Sequence, residues 1–193
     1  MIHNTYFWII EQFLGDYNRE VYGRGFVGKI PLSQKSIALT LAKLEKEGVL
    51  KSKKQGNMKY FKLNLENSQI KDIIILAELT KKINFMKKNR KIASLFHKDD
   101  RIIGVFGSYA RGTQKEDSDL DLFIIGKKIK QDYDKNGALF DVNVSVKYFT
   151  EKEFAKLISE DNPLCEEIIN NHITIFNAEK FVNIAWRNHY GLN

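Results

Sequence analysis

Helical and strand-like patterns alternate in the first third of the chain. Apolar residues recur on one helical face over residues 4–14 and again over residues 34–47, where Ser33 is a suitable N-cap. The segments 49–54 and 59–64 have the composition of strands, and a Gln-Gly-Asn turn separates them. This order predicts two helices followed by a β-hairpin, with a short strand and a glycine-weakened helix between the two helices.

The middle of the chain, residues 68–97, has the pattern of a helix throughout. Its apolar residues cover a wide face, its lysines and arginines occupy the polar side, and a break is expected near Asn89. Such a helix either links and dimerises two domains or packs on the domain that follows, and the pattern leaves both interpretations open.

Strand and helix patterns alternate again after residue 100. Short apolar runs at Ile102–Phe106 and Leu120–Ile125 predict buried strands, and strict alternation over Leu139–Phe149 predicts a strand with one polar face. The remaining predicted elements are a helix at 150–160, a helix from Asn162, a strand at 173–176 and a helix at 178–190. Together they predict an α/β domain with a small sheet.

Composition and charge narrow the range of partners. The chain has 193 residues, 43% of them hydrophobic, and a net charge of +7 at pH 7. Residues 1–67 carry 11 Lys and Arg against 6 Asp and Glu, whereas residues 101–193 carry 12 against 14. A basic front half joined to a slightly acidic back half indicates a first domain that contacts nucleic acid, although a solvated surface would give the same balance.

Cysteine usage and hydropathy indicate the compartment. The single cysteine, Cys165, has no partner for an intrachain disulfide, and we interpret it as a small buried residue in a reducing environment. No apolar run reaches the roughly 20 residues that a membrane helix needs, and the N-terminus lacks the pattern of a signal peptide. These features predict a cytoplasmic protein without a membrane partner.

The residues that could carry chemistry follow the predicted strand at 102–106. Gly107 lets the backbone approach a phosphate closely, and Ser108 can offer its hydroxyl and its amide. Asp119 and Asp121 are two residues apart at the next strand, so their carboxylates point to the same face. Two neighbouring carboxylates repel each other unless a cation lies between them, and hard oxygen ligands suit Mg²⁺ or Mn²⁺.

Gly-Ser, ten intervening residues and then Asp-x-Asp is a pattern that resembles the minimal nucleotidyltransferases of the DNA polymerase β superfamily. The resemblance is good over residues 101–149 and looser beyond them. It implies a nucleotide site at Gly107, Ser108 and Arg111, with an NTP, ATP by preference, as the substrate. Arg111 would either contact phosphate or hold the following strand in place.

The same resemblance implies two divalent metal ions and a third carboxylate from a later strand. Asp141 is the acidic residue on the polar face of the predicted strand 139–149, and we assign it this role. Asp119 and Asp121 would bind both metals, and Asp141 would bind the catalytic metal and help to activate the acceptor hydroxyl. The alternatives are a turn with solvated carboxylates and a degenerate site that binds nucleotide without turnover.

Residues 33–64 resemble the recognition helix and wing of bacterial and archaeal winged-helix regulators, above all in the phrase LxxLEKEGVL that joins helix to hairpin. The glycine-rich stretch 23–28 departs from those folds, which usually have a firm second helix there. The third helix of such a fold enters the DNA major groove, and the wing contacts phosphates or the minor groove. The resemblance therefore predicts binding of double-stranded DNA, with protein contact or dimerisation as the alternative use.

The candidate DNA contacts lie at the start of the recognition helix and along the wing. They are Ser33, Gln34, Lys35, Ser36, Lys43, Lys53, Lys54 and Lys59. Gln34 would read a base edge and Lys35 would pair with a phosphate.

These patterns predict an α+β chain of three parts. They are a winged helix-turn-helix domain at residues 1–66, a helical linker at 67–99 and an α/β nucleotidyltransferase domain with a small mixed sheet at 100–193. Three functions stay open: an enzyme that moves a nucleoside monophosphate from an NTP to an acceptor, a transcriptional regulator that only senses nucleotide, and an antitoxin-type nucleotidyltransferase that modifies a partner toxin. A homodimer through the winged helix or residues 68–90 is compatible with each.

Overall fold

The computed structural model describes residues 5–129, 133, 137 and 141–192. The chain divides into two compact units, and the boundary between Thr80 and Lys81 falls inside one long helix. Within the described residues, no helix is both long enough and apolar enough to cross a membrane.

The first unit contains two helices and a small antiparallel sheet. Its elements are α1 (Thr5–Ile10), a 3₁₀ turn (Glu11–Phe13), β1 (Val21–Tyr22), a second 3₁₀ turn (Gly23–Phe26), α2 (Gln34–Lys46), β2 (Leu50–Gln55) and β3 (Met58–Leu63). The strands pair in the order β1-β3-β2. The element predicted as a helix over residues 23–29 is only a 3₁₀ turn, because its glycines disfavour a continuous helix.

Helix α2 begins and ends where its sequence predicts. The Ser33 hydroxyl accepts a hydrogen bond from the Ser36 amide at 3.2 Å, which satisfies one of the free N–H groups at the helix start. Ile37, Leu41 and Leu44 are each no more than 2% exposed and attach the helix to the core of the unit. The opposite side of α2 faces solvent.

The long helix and its break follow the predicted pattern. Helix α3 spans Ile70–Lys88 and α4 spans Arg90–Ala93, and they are separated at Asn89, which has φ −117° and ψ 61°. Ile70, Ile74 and Ala77, in the part of α3 that belongs to the first unit, are buried.

The second unit is built on a four-stranded mixed sheet. Its further elements are β4 (Ile102–Val105), α5 (Gly107–Arg111), β5 (Leu120–Ile125), β6 (Val144–Phe149), α6 (Glu151–Ser159), α7 (Pro163–Asn170), β7 (Ile173–Phe176) and α8 (Ala178–Asn188). The strand order is β6-β5-β4-β7, with β5 parallel to β6 and β4 antiparallel to both β5 and β7. The predicted small mixed sheet is confirmed.

Each face of this sheet has its own apolar cluster. Phe123 belongs to the cluster under α6, α7 and α8, whereas Leu120 and Leu122 belong to the cluster on the opposite face. Gly104 is required in β4, because a Cβ there would lie 2.3 Å from the Phe123 ring. Cys165 is 1% exposed, and burial raises the pKa of its thiol to about 11, which agrees with its interpretation as a small buried residue.

Strand β6 starts later than the alternating pattern predicts. Leu139 and Phe140 lie outside the described residues, but Asp141 has φ 46°, which no strand residue adopts. The Val142 amide donates to the Gly137 carbonyl at 3.1 Å and not to β5. Pairing with β5 begins only at Asn143, whose carbonyl accepts from the Leu120 amide at 2.8 Å. The prediction that Asp141 lies on this strand is therefore wrong.

Candidate functional site

Gly107 lies at the junction of β4 and α5, directly against the carboxylate of Asp121. Its φ is 69°, in the left-handed region, and a Cβ added to it would lie 2.5 Å from Asp121 Oδ2. The backbone at this junction is also fixed to β5, since the Phe106 amide donates to the Asp121 carbonyl at 3.0 Å. Glycine is required here for its conformation and for its size.

Asp119 and Asp121 form the acidic pair that the sequence predicts. Asp119 immediately precedes β5 and is exposed, whereas Asp121 is its second residue and is half-buried. Burial raises the pKa of the Asp121 carboxyl above its ordinary value, and the charges of Asp119 and Glu167 add to this rise. The pair therefore carries an unfavourable concentration of negative charge.

Two residues of β6 oppose this rise in pKa. In the parallel register Asp121 is paired with Ser145, and the Ser145 hydroxyl donates a hydrogen bond to the Asp121 carboxylate. Lys147, two residues further on and on the same face, contributes a favourable charge. The sequence pattern does not reveal the role of Ser145, because the register between β5 and β6 cannot be read from either strand alone.

Asp141 has different surroundings from the acidic pair. Its side chain is 94% exposed, and its Oδ2 lies 3.7 Å from Nζ of Lys91, which also donates to the Asp141 carbonyl at 3.3 Å. It lines the same cleft as Asp119, but across the described parts of the chain no three Asp, Glu, His or Cys side chains gather closely enough to hold a metal ion together. In this conformation Asp141 does not complete a three-carboxylate cluster.

The cleft itself has a volume of about 1260 Å³ and two walls of opposite charge. Lys88, Arg90 and Lys91 line it from the end of α3 and the start of α4, and the acidic residues of the loop 114–119 line it from the other side. The sequence indicated these cations only as the polar side of a helix.

Arg111 is engaged by a carboxylate of the same unit. Its guanidinium forms an ion pair with Glu167 on α7, and both side chains are about 40% exposed. This pair joins α5, which follows Gly107, to a helix on the sheet face that carries Asp121. Ser108, the second residue of α5, is half-buried, and its carbonyl accepts from the Thr113 amide at 2.9 Å.

The donor set at the pair fits a divalent cation. Mg²⁺ is commonly bound by one or two carboxylates, with water and substrate phosphates supplying the other oxygen ligands. Asp119 and Asp121 provide two carboxylates on one rigid strand end, and their mutual repulsion would be relieved by a cation. These two residues are the ones that would hold it.

The candidate DNA contacts of the first unit differ in how they are paired. Ser33, Gln34, Lys35 and Lys43 are exposed, while Ser36 is half-buried. Three of the candidate lysines form ion pairs within the unit. Lys43 lies 3.9 Å from Glu47, Lys53 lies 2.6 Å from Glu20, and Lys59 lies 2.6 Å from Glu45. Lys35 and Lys54 form no ion pair with a carboxylate that the structure describes.

Comparison with known proteins gives one family match, and it lies within the second unit. Residues 90–181, slightly less than half of the chain, match the sequence model of the family described as polymerase beta, nucleotidyltransferase. This part of the chain is therefore similar to the nucleotidyltransferase domains of the polymerase beta type. No curated protein and no solved structure matches the chain significantly.

Proposed function

We propose that this protein transfers a nucleoside monophosphate from an NTP, ATP by preference, to an acceptor, and that a DNA-binding winged helix at its N-terminus directs it to its target. The observation that carries the proposal is the contact of Gly107 with Asp121 inside the region that matches the polymerase beta family. It joins a candidate phosphate-binding turn to the acidic pair.

In the proposed reaction the acceptor hydroxyl attacks the α-phosphorus of the nucleotide. A new oxygen–phosphorus bond forms, the α–β phosphoanhydride bond breaks, pyrophosphate leaves with the bonding electrons, and the hydroxyl proton passes to solvent. A divalent cation held by Asp119 and Asp121 would supply neutralisation of the triphosphate charge. Gly107 would let the backbone approach the phosphates, with Ser108 as a hydrogen-bond donor to them.

The direct test is transfer of label from α-³²P-ATP in the presence of Mg²⁺ or Mn²⁺ to candidate acceptors, including DNA, RNA and proteins of the source cell. Asp119→Ala and Asp121→Ala should abolish transfer. Asp100→Ala is the matched control, because Asp100 is an exposed carboxylate of the same unit that does not line the cleft. Equal transfer by the wild type and both active-site variants would reject the enzymatic function.

Two alternatives use the same site differently. A nucleotide-sensing regulator would bind ATP without releasing pyrophosphate, and ATP would change its affinity for DNA. An antitoxin-type enzyme would transfer label only to its partner toxin. A partner encoded next to this protein would therefore be the first acceptor to test.

DNA binding by the first unit is the second part of the proposal. Its order of elements, from α1 through α2 to the β2–β3 hairpin, and the exposed lysines of α2 and the hairpin support it. Affinity for random duplex DNA that falls as salt increases would agree with it, whereas no salt-dependent binding would reject it. Homodimerisation through the winged helix or residues 68–90 stays a prediction, with sedimentation of the whole chain as its measurement.

A further inference from the structure

We infer that Ser145, and not Asp141, is the third side chain of the cation site: its hydroxyl orients Asp121, so that Asp119 and Asp121 hold a divalent cation without Asp141. The inference rests on the proposed nucleotide site and concerns how this chain builds it. Ser145 is a positioning residue here, since it acts on the cation through Asp121.

The register of the sheet is the first argument. Parallel pairing aligns Asp121 with Ser145, so the side chain next to Asp121 on the neighbouring strand and on the same face is a hydroxyl. The next residue of β6 on that face is Lys147, a cation. A carboxylate that faces the acidic pair from β6 would have to stand at one of these two positions, and neither carries one.

The hydrogen bond is the second argument. The Ser145 hydroxyl donates to the carboxylate of Asp121, its partner in the parallel register, and this bond constrains the orientation of the carboxylate. Partners that hold a metal ligand by a hydrogen bond fix its orientation, and their loss typically weakens metal binding by about 10- to 100-fold. Ser145 has the chemistry and the position of such a partner.

The surroundings of Asp141 are the third argument. Its carboxylate is almost fully exposed and lies beside Lys91 on the rim of the cleft, and its backbone has left the strand geometry that would aim it at Asp121. A surface ion pair of this kind contributes little to stability, so Asp141 is free to be replaced without loss of the fold.

Binding of Mn²⁺ alone to the full-length protein, followed by electron paramagnetic resonance of the free ion, tests this arrangement. We expect Ser145→Ala to weaken Mn²⁺ binding by about tenfold or more, and Ser145→Thr, which keeps the hydroxyl, to retain it. Asp121→Asn should abolish binding, and Asp141→Asn should leave it unchanged. Ser145→Asp, which places a third carboxylate beside the pair, should tighten binding.

Thermal unfolding without metal checks that each variant is folded, and Ser145→Asp and Asp141→Asn keep the test decisive if Ser145→Ala is unstable. The inference is overturned if Asp141→Asn weakens Mn²⁺ binding as much as Asp121→Asn, or if Ser145→Ala binds as tightly as the wild type. The proposed function can fail separately. If the protein binds Mn²⁺ in this pattern but transfers no nucleotide, the inference stands and the enzymatic function is rejected. If transfer depends on Asp119 but Mn²⁺ binding depends on Asp141, the enzymatic function stands and the inference is rejected.

Discussion

The α-carbon of Gly107 faces the carboxylate of Asp121 so closely that a single added methyl group would lie 2.5 Å from Oδ2. Two segments that are 14 positions apart in the sequence are thereby brought into contact at the end of the sheet. The turn at Gly107 and the acidic pair are therefore in direct contact, and a substitution in one should change the position of the other.

Gly107→Ala should weaken cation binding by more than the strain in its backbone alone would. A left-handed residue with a side chain costs about 1–2 kcal/mol of stability, and the clash with Asp121 adds a displacement of the carboxylate. Gly112→Ala is the matched control, because Gly112 has φ 70° and nothing within 4 Å of an added Cβ. Urea unfolding should show a loss of stability in both variants, whereas Mn²⁺ binding should be lost only in Gly107→Ala. Equal Mn²⁺ binding by the two variants would contradict the role of the contact.

The raised pKa of Asp121 predicts a specific dependence of stability on pH. A carboxyl whose pKa is higher in the folded than in the unfolded protein contributes stability below its unfolded pKa, and this contribution is lost as pH rises through the folded pKa. Without divalent ions, Asp121→Asn should therefore gain stability relative to the wild type as pH rises from about 3 to 7. Urea unfolding in EDTA at several pH values measures this difference.

Divalent cations should reverse that order. A ligand that binds only the folded wild type stabilises it by mass action, so Mn²⁺ should raise the unfolding midpoint of the wild type and leave that of Asp121→Asn unchanged. The stabilisation should weaken as pH falls and Asp121 becomes protonated. If, in EDTA, the free energy of unfolding of the wild type rose relative to that of Asp121→Asn as pH increased, the raised pKa of Asp121 would be contradicted.

The ion pair between Arg111 and Glu167 should act as a tie between α5 and α7. Arg111→Ala and Glu167→Ala should each destabilise the protein slightly, and a double-mutant cycle should give a coupling free energy of at most about 1 kcal/mol, because both side chains are partly exposed. Nucleotide affinity separates this role from a phosphate contact. If Arg111 bound a phosphate of ATP after release from Glu167, Glu167→Gln would increase the affinity for ATP. We expect no such increase.

The sequence predicts the strands of the second unit better than it predicts the third partner of the site. Leu120–Ile125 is recognisable as a short apolar run, in which every residue except Asp121 is buried, and Ile173–Phe176 is a second bounded run. The polar alternation that includes Asp141 has the same appearance as a strand, but Asp141 has φ 46° and β6 begins only at Val144. A period of two identifies which residues share a face only where the strand continues.

Register is the other property that a single strand does not encode. The hydroxyl of Ser145 reaches Asp121 because β5 and β6 pair in parallel with these two residues side by side. A shift of one residue would place an apolar side chain there instead. Val144 and Val146, on the opposite face, are partly buried against a cluster that includes Phe85 and Ile92, which are distant in the sequence, and this packing favours the observed register.

The lysines of the hairpin should differ in their contribution to DNA binding, although the sequence makes them look alike. Lys53 is held 2.6 Å from the carboxylate of Glu20, whereas its neighbour Lys54 is exposed and has no described carboxylate partner. A lysine that is already paired has to give up that partner before it can neutralise a phosphate, so its net contribution to the free energy of DNA binding is smaller.

Lys54→Ala should therefore lower the affinity for duplex DNA and reduce the slope of log affinity against log salt by about one. Lys53→Ala should change both less, and Glu20→Gln should increase affinity by releasing Lys53. Fluorescence anisotropy with a labelled duplex at several salt concentrations measures all three variants, and equal slopes for Lys53→Ala and Lys54→Ala would show that the ion pair does not persist on DNA.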